Sequence, residues 1–79
     1  MPPFVTSVKP LQNYLLNLEF SNGEKRIFDV SPYLNKGIFK DLKNSNLFYS
    51  VHLDGLSIEW NNQASLSPNT LYLESYQAQ

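Results

Sequence analysis

Apolar and polar residues alternate along residues 14–20, a period of two that is typical of a β-strand with one buried face. The apolar positions of this segment are Tyr14, Leu16, Leu18 and Phe20. Asn22-Gly23 follows, and both residues tolerate the positive φ of a tight hairpin turn. We therefore predict a returning strand over residues 25–30, and an earlier strand over residues 4–9 that ends at Pro10.

The register of this first hairpin has two solutions. A two-residue turn pairs Leu18 with Ile27 and Glu19 with Arg26, which is a favourable opposite-charge pair. A three-residue loop opposes Leu18 to Phe28 instead and gives the more apolar face. The sequence does not choose between them.

A second hairpin is predicted around Asp54-Gly55, with those two residues as the turn. In this register every apolar residue meets an apolar residue, and every polar residue meets a polar one. The expected pairs are Leu53 with Leu56, Val51 with Ile58, Tyr49 with Trp60, His52 with Ser57, and Ser50 with Glu59.

Short helical turns are predicted between and after the hairpins. Ser31-Pro32 is a typical helix start, and Gly37 ends that turn. A second turn carries apolar residues at helical spacing and ends near residues 44–46. Ser67-Pro68 repeats the same start signal before a C-terminal turn. After that turn we expect a frayed tail over residues 76–79.

The pattern as a whole predicts one α+β domain over residues 1–79, a small antiparallel sheet of β-hairpins with short helices between and after them. A chain of 79 residues buries only about 60% of its unfolded surface, so its core is thin. There is no cysteine to staple it, and 14% of the residues are aromatic. Aromatic side chains must therefore supply much of the core, or a homodimer must bury more apolar surface.

Charge and hydropathy argue against several classes of protein. The net charge is −1 and the basic residues are dispersed, whereas a protein that binds duplex nucleic acid usually has a basic face. No run approaches the roughly 20 apolar residues that span a bilayer. The N-terminal Met-Pro-Pro-Phe lacks the basic and apolar regions of a secretory signal. A cytoplasmic location is the expectation, with no membrane partner.

Three ordered stretches of the chain resemble a known family. They are Leu18 to Glu24, Phe28 to Leu34, and Trp60 through Leu71-Tyr72, with Gly37-Ile38-Phe39 and Leu47-Phe48 between them. The set resembles the domain of unknown function 2442 family over nearly the whole chain.

The resemblance implies a compact α+β domain of bacteria and phages, without established activity or catalytic residues. Its members are often encoded beside another small protein, in an arrangement similar to a toxin–antitoxin pair. This chain departs from the family pattern in the loop after Trp60. It has Gln63 where the family commonly has Gly, and Ser65 where the family commonly has Asp.

His52 is the only histidine and the first residue to consider as a general acid, base or ligand. The predicted register places it opposite Ser57 and diagonal to Ser50, with Glu59 on the same face. A polar strand face collects such residues by chance, so an ordinary solvated histidine is the favoured interpretation. The acids show no ligand-spaced cluster, and we predict neither a metal nor a cofactor.

Trp60 has two interpretations. It is either a plug in the core, which we favour, or an anchor for a partner, since Trp and Tyr are common at interface hot spots. The aromatic residues exceed what a thin core is expected to bury, and exposed apolar patches mark interaction sites. We therefore expect a partner-binding surface at Trp60, Asn62 and Tyr72.

The first functional hypothesis is a non-enzymatic protein-interaction module that binds a protein partner or a second copy, with an antitoxin-like role as one version. The second hypothesis is a small hydrolase-type enzyme that uses His52. The third is a nucleic-acid-binding regulator that acts as a dimer or with a partner. No small-molecule substrate is identified by the sequence.

Overall fold

The computed structural model describes residues 3–78, in which seven strands and two α-helices are present. The strands are β1 (Val5–Leu11), β2 (Leu15–Phe20), β3 (Lys25–Asp29), β4 (His52–Asp54), β5 (Ser57–Glu59), β6 (Ser65–Leu66) and β7 (Tyr76–Gln77). The helices are α1 (Ser45–Phe48) and α2 (Pro68–Glu74), and shorter 3₁₀ segments span Gln12–Tyr14, Ser31–Tyr33 and Gly37–Lys43. The predicted α+β class is confirmed.

The strands form two antiparallel sheets. One has the order β1-β2-β3-β7, and the other has the order β4-β5-β6. The sheets meet where β1 begins, because the backbone N–H of Val5 donates to the carbonyl oxygen of Leu56 over 3.0 Å. Within residues 3–78, no helix is long and apolar enough to cross a membrane.

Aromatic rings occupy much of the core, as the composition predicts. Trp60, Phe28 and Phe48 are the largest of its fully buried side chains. Phe39 packs edge-on against Trp60 with ring centroids 6.3 Å apart, and the tilted ring of Phe48 lies 6.4 Å from the same indole. The aliphatic residues of the core include Leu16, Leu18, Val30, Leu42, Ile58 and Leu71.

Neither predicted register of the first hairpin is correct. Leu18 pairs with Arg26, and Leu16 pairs with Phe28. The two-residue turn needs a positive φ at both central residues, but only Gly23 has one, at 88°. The loop is therefore a three-residue loop of residues 21–23, one position earlier than the alternative that we had considered. The backbone N–H of Phe20 closes it on the carbonyl of Glu24 over 3.0 Å.

The predicted register of the second hairpin is also wrong, by two residues. Leu53 pairs with Ile58, and His52 pairs with Glu59. Gly55 takes a φ of 61° as the first central residue of the turn, the position that a type II′ turn reserves for glycine, and Leu56 is the second. A shift of two keeps the paired side chains of β4 and β5 on their predicted faces, because the strand period is two.

Residues 44–50 differ more strongly from the prediction. The Asn44 side chain accepts hydrogen bonds from the backbone N–H groups of Asn46 and Leu47, and this N-cap begins α1. Tyr49 ends the helix and therefore does not belong to a strand. The C-terminal helix α2 is confirmed, with the hydroxyl of Ser67 accepting from the Thr70 N–H.

Strand ends and the tail also differ from the prediction. Pro10 lies inside β1 and pairs with Leu16, which is possible because β1 is an edge strand. Ser31 begins its 3₁₀ segment without a side-chain cap. The expected frayed tail is wrong for β7, which pairs with β3, and β6 was not predicted. Gln79, together with Met1 and Pro2 of the segment considered for a signal, lies outside the described residues.

Candidate interaction surface

Trp60 is a core residue. Its side chain is 0% exposed, and its indole Nε1 donates to the carbonyl oxygen of Phe48 over 3.0 Å. A ring in this position cannot contact a partner on the surface. The interpretation of Trp60 as a core plug is confirmed, and this burial gives no support to Trp60 as part of a partner-binding surface.

Asn62 closes the loop that follows Trp60. Its Nδ2 donates to the carbonyl oxygen of Ile38 over 3.2 Å, and its Oδ1 accepts from the N–H of Ala64 over 3.0 Å. Both ends of the amide therefore hold the loop against the 3₁₀ segment at Gly37–Lys43. These two hydrogen bonds within the chain account for an asparagine at this position, and no binding partner is needed to explain it.

Tyr72 belongs to a polar cluster around the Glu24 carboxylate. Its hydroxyl donates to Glu24, which also accepts from Asn22 over 2.6 Å, Arg26 over 2.9 Å and Gln77 over 3.2 Å. The Tyr72 hydrogen bond is the largest of the contacts that lower the pKa of Glu24 to about 2. A carboxylate with this many donors is satisfied within the fold.

Arg26 connects this cluster to the C-terminal helix. Its Nε and Nη2 donate to the hydroxyl and the carbonyl of Ser75, each over 2.7 Å. Its guanidinium carbon lies 4.8 Å from the centroid of the Tyr72 ring, which is within range of a cation–π contact. The cluster therefore joins the first hairpin to α2 and β7. The three residues expected to bind a partner lie in separate parts of the fold, each with a structural contact.

His52 lies on the exposed hairpin of β4 and β5. Its Nδ1 is 3.0 Å from the carbonyl oxygen of Ser50, and its Nε2 is 3.5 Å from a carboxylate oxygen of Glu59. The backbone contact with Ser50, followed by Glu59, raises the pKa of His52. The hydroxyls of Ser50 and Ser57 donate to the carbonyls of Leu47 and Leu66 instead of to His52.

Metal chemistry has no obvious centre in the described part of the chain. Residues 3–78 contain no group of three or more His, Asp or Glu side chains that could hold a metal ion. The expectation of no cofactor stays a prediction.

The four-stranded sheet has a second face, directed away from the core. On β2, Leu16, Leu18 and Phe20 are buried, whereas the intervening Leu15 and Asn17 are half-buried. Their cross-strand neighbours follow the same division, since paired residues share a face. We define the outer sheet face by the outward residues that are apolar or central, which are Leu11, Leu15, Asn17, Ile27 and Tyr76.

This outer sheet face is more apolar than a solvated face needs to be. Ile27 pairs directly with Tyr76, which is 55% exposed, and Leu11 pairs with Leu15. Asn17 lies between these two pairs, on the central part of the sheet. Its Oδ1 is buried and accepts no hydrogen bond. An acceptor in this state costs about 1–3 kcal/mol, and a rotation of the amide that brought the oxygen to a partner's donor would remove that cost.

A groove of about 330 Å³ adjoins the outer sheet face at Leu11. It is lined also by Tyr14, Phe48 and Tyr49, and Tyr49 is 47% exposed. Asn13 and Tyr14 border it with φ angles of 62° each, a conformation that costs energy for a non-glycine residue. The Tyr14 hydroxyl donates to the Lys43 carbonyl over 2.7 Å and helps to hold this turn.

A protein-family model, described as "Protein of unknown function (DUF2442)", matches residues 5–77. The chain belongs to the DUF2442 family. The match carries no activity with it. No curated protein and no solved structure matches the chain.

The departure of this DUF2442 member at Gln63 has a structural counterpart. Gln63 has a φ of 71°, in the left-handed region that glycine adopts without cost. The loop thus keeps a conformation suited to the glycine that the family resemblance implies. The outer sheet face was missed by our sequence analysis, although Leu15 and Asn17 occupy the opposite side of the alternation that predicted β2.

Proposed function

We propose that this DUF2442 protein is a non-enzymatic protein-interaction module whose partner covers the outer sheet face. One observation supports the proposal above all: the buried Oδ1 of Asn17 accepts no hydrogen bond, and Asn17 lies beside Ile27 on the face of the sheet opposite the core. Apolar surface of this kind is stabilised by burial, and the buried acceptor gains from a donor.

The charges around the outer sheet face favour a protein over a nucleic acid. Lys9 and Lys25 point outward from it, and so do Glu19 and Asp29. Two cations and two anions give no basic excess, whereas a phosphate backbone is bound by an excess of cations. The surroundings of His52 give the hydrolase hypothesis no support either, because both nearby hydroxyls donate to backbone carbonyls.

A binding experiment with matched variants tests this function. The tagged chain is incubated with an extract of the cells that express it, and captured proteins are quantified by mass spectrometry. Ile27→Glu places a charge in the centre of the outer sheet face. Ile38→Glu is the control, since Ile38 is 47% exposed but lies on the 3₁₀ segment away from that face.

We expect the wild type and Ile38→Glu to capture the same protein in nearly equal amounts. Ile27→Glu should not capture it. Circular dichroism must show that both variants stay folded. Capture that is equal for all three chains would refute the proposal. If the antitoxin-like version of this function holds, the captured protein is the small protein encoded beside this one.

A further inference from the structure

We infer that the partner on the outer sheet face is a second copy of this chain, packed face to face about a two-fold axis. The inference rests on the proposed function, because it names the occupant of the same surface. A chain of 79 residues gains from such an arrangement, since on its own it buries only about 60% of its unfolded surface, less than larger domains do.

The edges of the sheet are poor sites for association by strand addition. The β1 edge contains Lys9 and Pro10, and its register with β2 shifts between Val5 and Ser7. Charges, prolines and bulges at an edge disfavour pairing with another chain. The opposite edge is β7, which has only two residues. The face is therefore the available surface.

The strand register defines a row of residues suited to a two-fold axis. Lys9, Asn17, Ile27 and Tyr76 are neighbours across the four strands. An axis along this row places each of them against the same residue of the second copy. Ile27 then forms an apolar centre, and Tyr76 extends it toward the β7 edge. Lys9 lies at the rim, where its long side chain can extend into solvent.

Asn17 is self-complementary on such an axis. An amide has one acceptor and two donors, so two asparagines related by the axis can exchange reciprocal hydrogen bonds. The terminal torsion of asparagine is soft, and its rotation turns the buried Oδ1 toward the second copy. The acceptor that has no partner within one chain thereby obtains one in the dimer.

The charges on β3 complete the self-complementarity. Lys25 and Asp29 lie two residues on either side of Ile27 and point to the same face. The axis therefore brings Lys25 opposite Asp29 of the second copy, and the reverse pair forms by symmetry. Within one chain they are four residues apart along a strand, about 13 Å, which is too far for an ion pair.

The size of the face sets the expected affinity. Five residues along each of β1, β2 and β3, with the two residues of β7, cover about 270 Å² in projection. A standard interface buries about 800 Å² per partner, so this dimer is a weak one with a micromolar to millimolar dissociation constant. Its population should depend strongly on protein concentration.

Sedimentation velocity over a concentration series tests the dimer. The wild-type mass should rise from 9.1 kDa toward twice that value. Lys25→Asp or Asp29→Lys alone places like charges opposite each other twice, which should raise the dissociation constant by about tenfold. The combined variant, Lys25→Asp with Asp29→Lys, exchanges the two charges and should recover the wild-type association.

The contact of Lys25 with Glu19 within one chain does not explain such a recovery. It spans 3.9 Å between two exposed side chains, so its contribution is small, and the combined variant still lacks it. Ile38→Glu should associate as the wild type does, and Ile27→Glu should stay at the monomer mass. Circular dichroism and thermal unfolding must show native folding of each variant.

Two results would overturn the dimer: a wild-type mass of 9.1 kDa up to about millimolar concentration, or a combined charge variant that associates as weakly as the single ones. A monomer whose capture of another protein is lost with Ile27→Glu refutes the dimer and supports the proposed function. A dimer that forms equally well with Ile27→Glu refutes the inferred dimer interface, whereas the proposed function is refuted by equal capture with all three chains.

Discussion

Replacing Gln63 with glycine should stabilise the protein. Gln63 has a φ of 71°, and the left-handed conformation costs an L-residue about 1–2 kcal/mol. Its side chain is exposed, and its backbone N–H, which donates to the Trp60 carbonyl over 2.9 Å, is kept in the variant. The substitution therefore removes strain and no contact that the structure shows.

The gain is partly offset in the unfolded state. Glycine is more flexible there, which takes back about 0.4–1 kcal/mol. The net stabilisation then lies between about zero and 1.6 kcal/mol, with a midpoint of about 0.8 kcal/mol. For a domain of this size the melting temperature should rise by about 2–8 °C, and the urea midpoint by about 0.5 M.

Asn61→Gly is the matched control for this measurement. Asn61 is exposed in the same loop, but its φ is not positive, so glycine there relieves no strain and adds only flexibility. Thermal and urea unfolding of the three proteins should place Gln63→Gly above the wild type and Asn61→Gly below it. If both glycine variants lose stability equally, strain at Gln63 is not a measurable cost.

The other predictions concern the core and two titrating groups. Trp60→Ala should cost about 3–5 kcal/mol and leave little folded protein by circular dichroism, because it empties a fully buried site. The folded-state pKa of Glu24 is about 2, so its contribution to stability is present above pH 4.5 and is lost as the pH falls toward 2. Glu24→Gln should remove this part of the pH dependence of the unfolding free energy, measured by urea titration. An unchanged dependence on pH would contradict the prediction. The pKa of His52 is raised, so its stabilising contribution is present below pH 6.5 and is lost as the pH rises through the folded-state value. An NMR titration should show this raised pKa, and Glu59→Gln should lower it without abolishing the shift, because the Ser50 carbonyl is the larger cause.

The elements that could be predicted are those with a local cause. The period of two in β2 identified a strand whose alternate residues are buried, because burial on one face imposes that period. Ser67-Pro68 identified the start of α2, because the hydroxyl satisfies a free N–H and proline fits the first turn. Both signals are contained in a few neighbouring residues.

The strand registers of the two hairpins could not be predicted, because the same short turn sequence is compatible with more than one turn conformation, and each conformation gives a different register. Gly23 and Gly55 correctly mark two hairpin turns, yet each glycine can occupy more than one position of a turn. The short strands β6 and β7 exist through pairing with distant strands rather than through their own pattern. The role of Trp60 likewise depended on how much volume the other aromatic residues fill.

The burial of Trp60 also changes where an interaction surface must be sought. Aromatic residues fill the core on one side of the four-stranded sheet. Of the exposed large apolar side chains, Tyr76 lies on the other side of that sheet, Leu53 and Leu56 lie at the second hairpin, and Ile38, Tyr49 and Leu73 lie on or beside helical segments. A sheet face that contacts only water usually has polar residues at positions such as Leu15 and Ile27. Within the chain these two side chains are only half-buried, so part of their apolar surface stays in contact with water. These residues and the Asn17 Oδ1, which accepts no hydrogen bond, belong to the outer sheet face. Substitutions on the outer sheet face should therefore weaken association without disturbing the core.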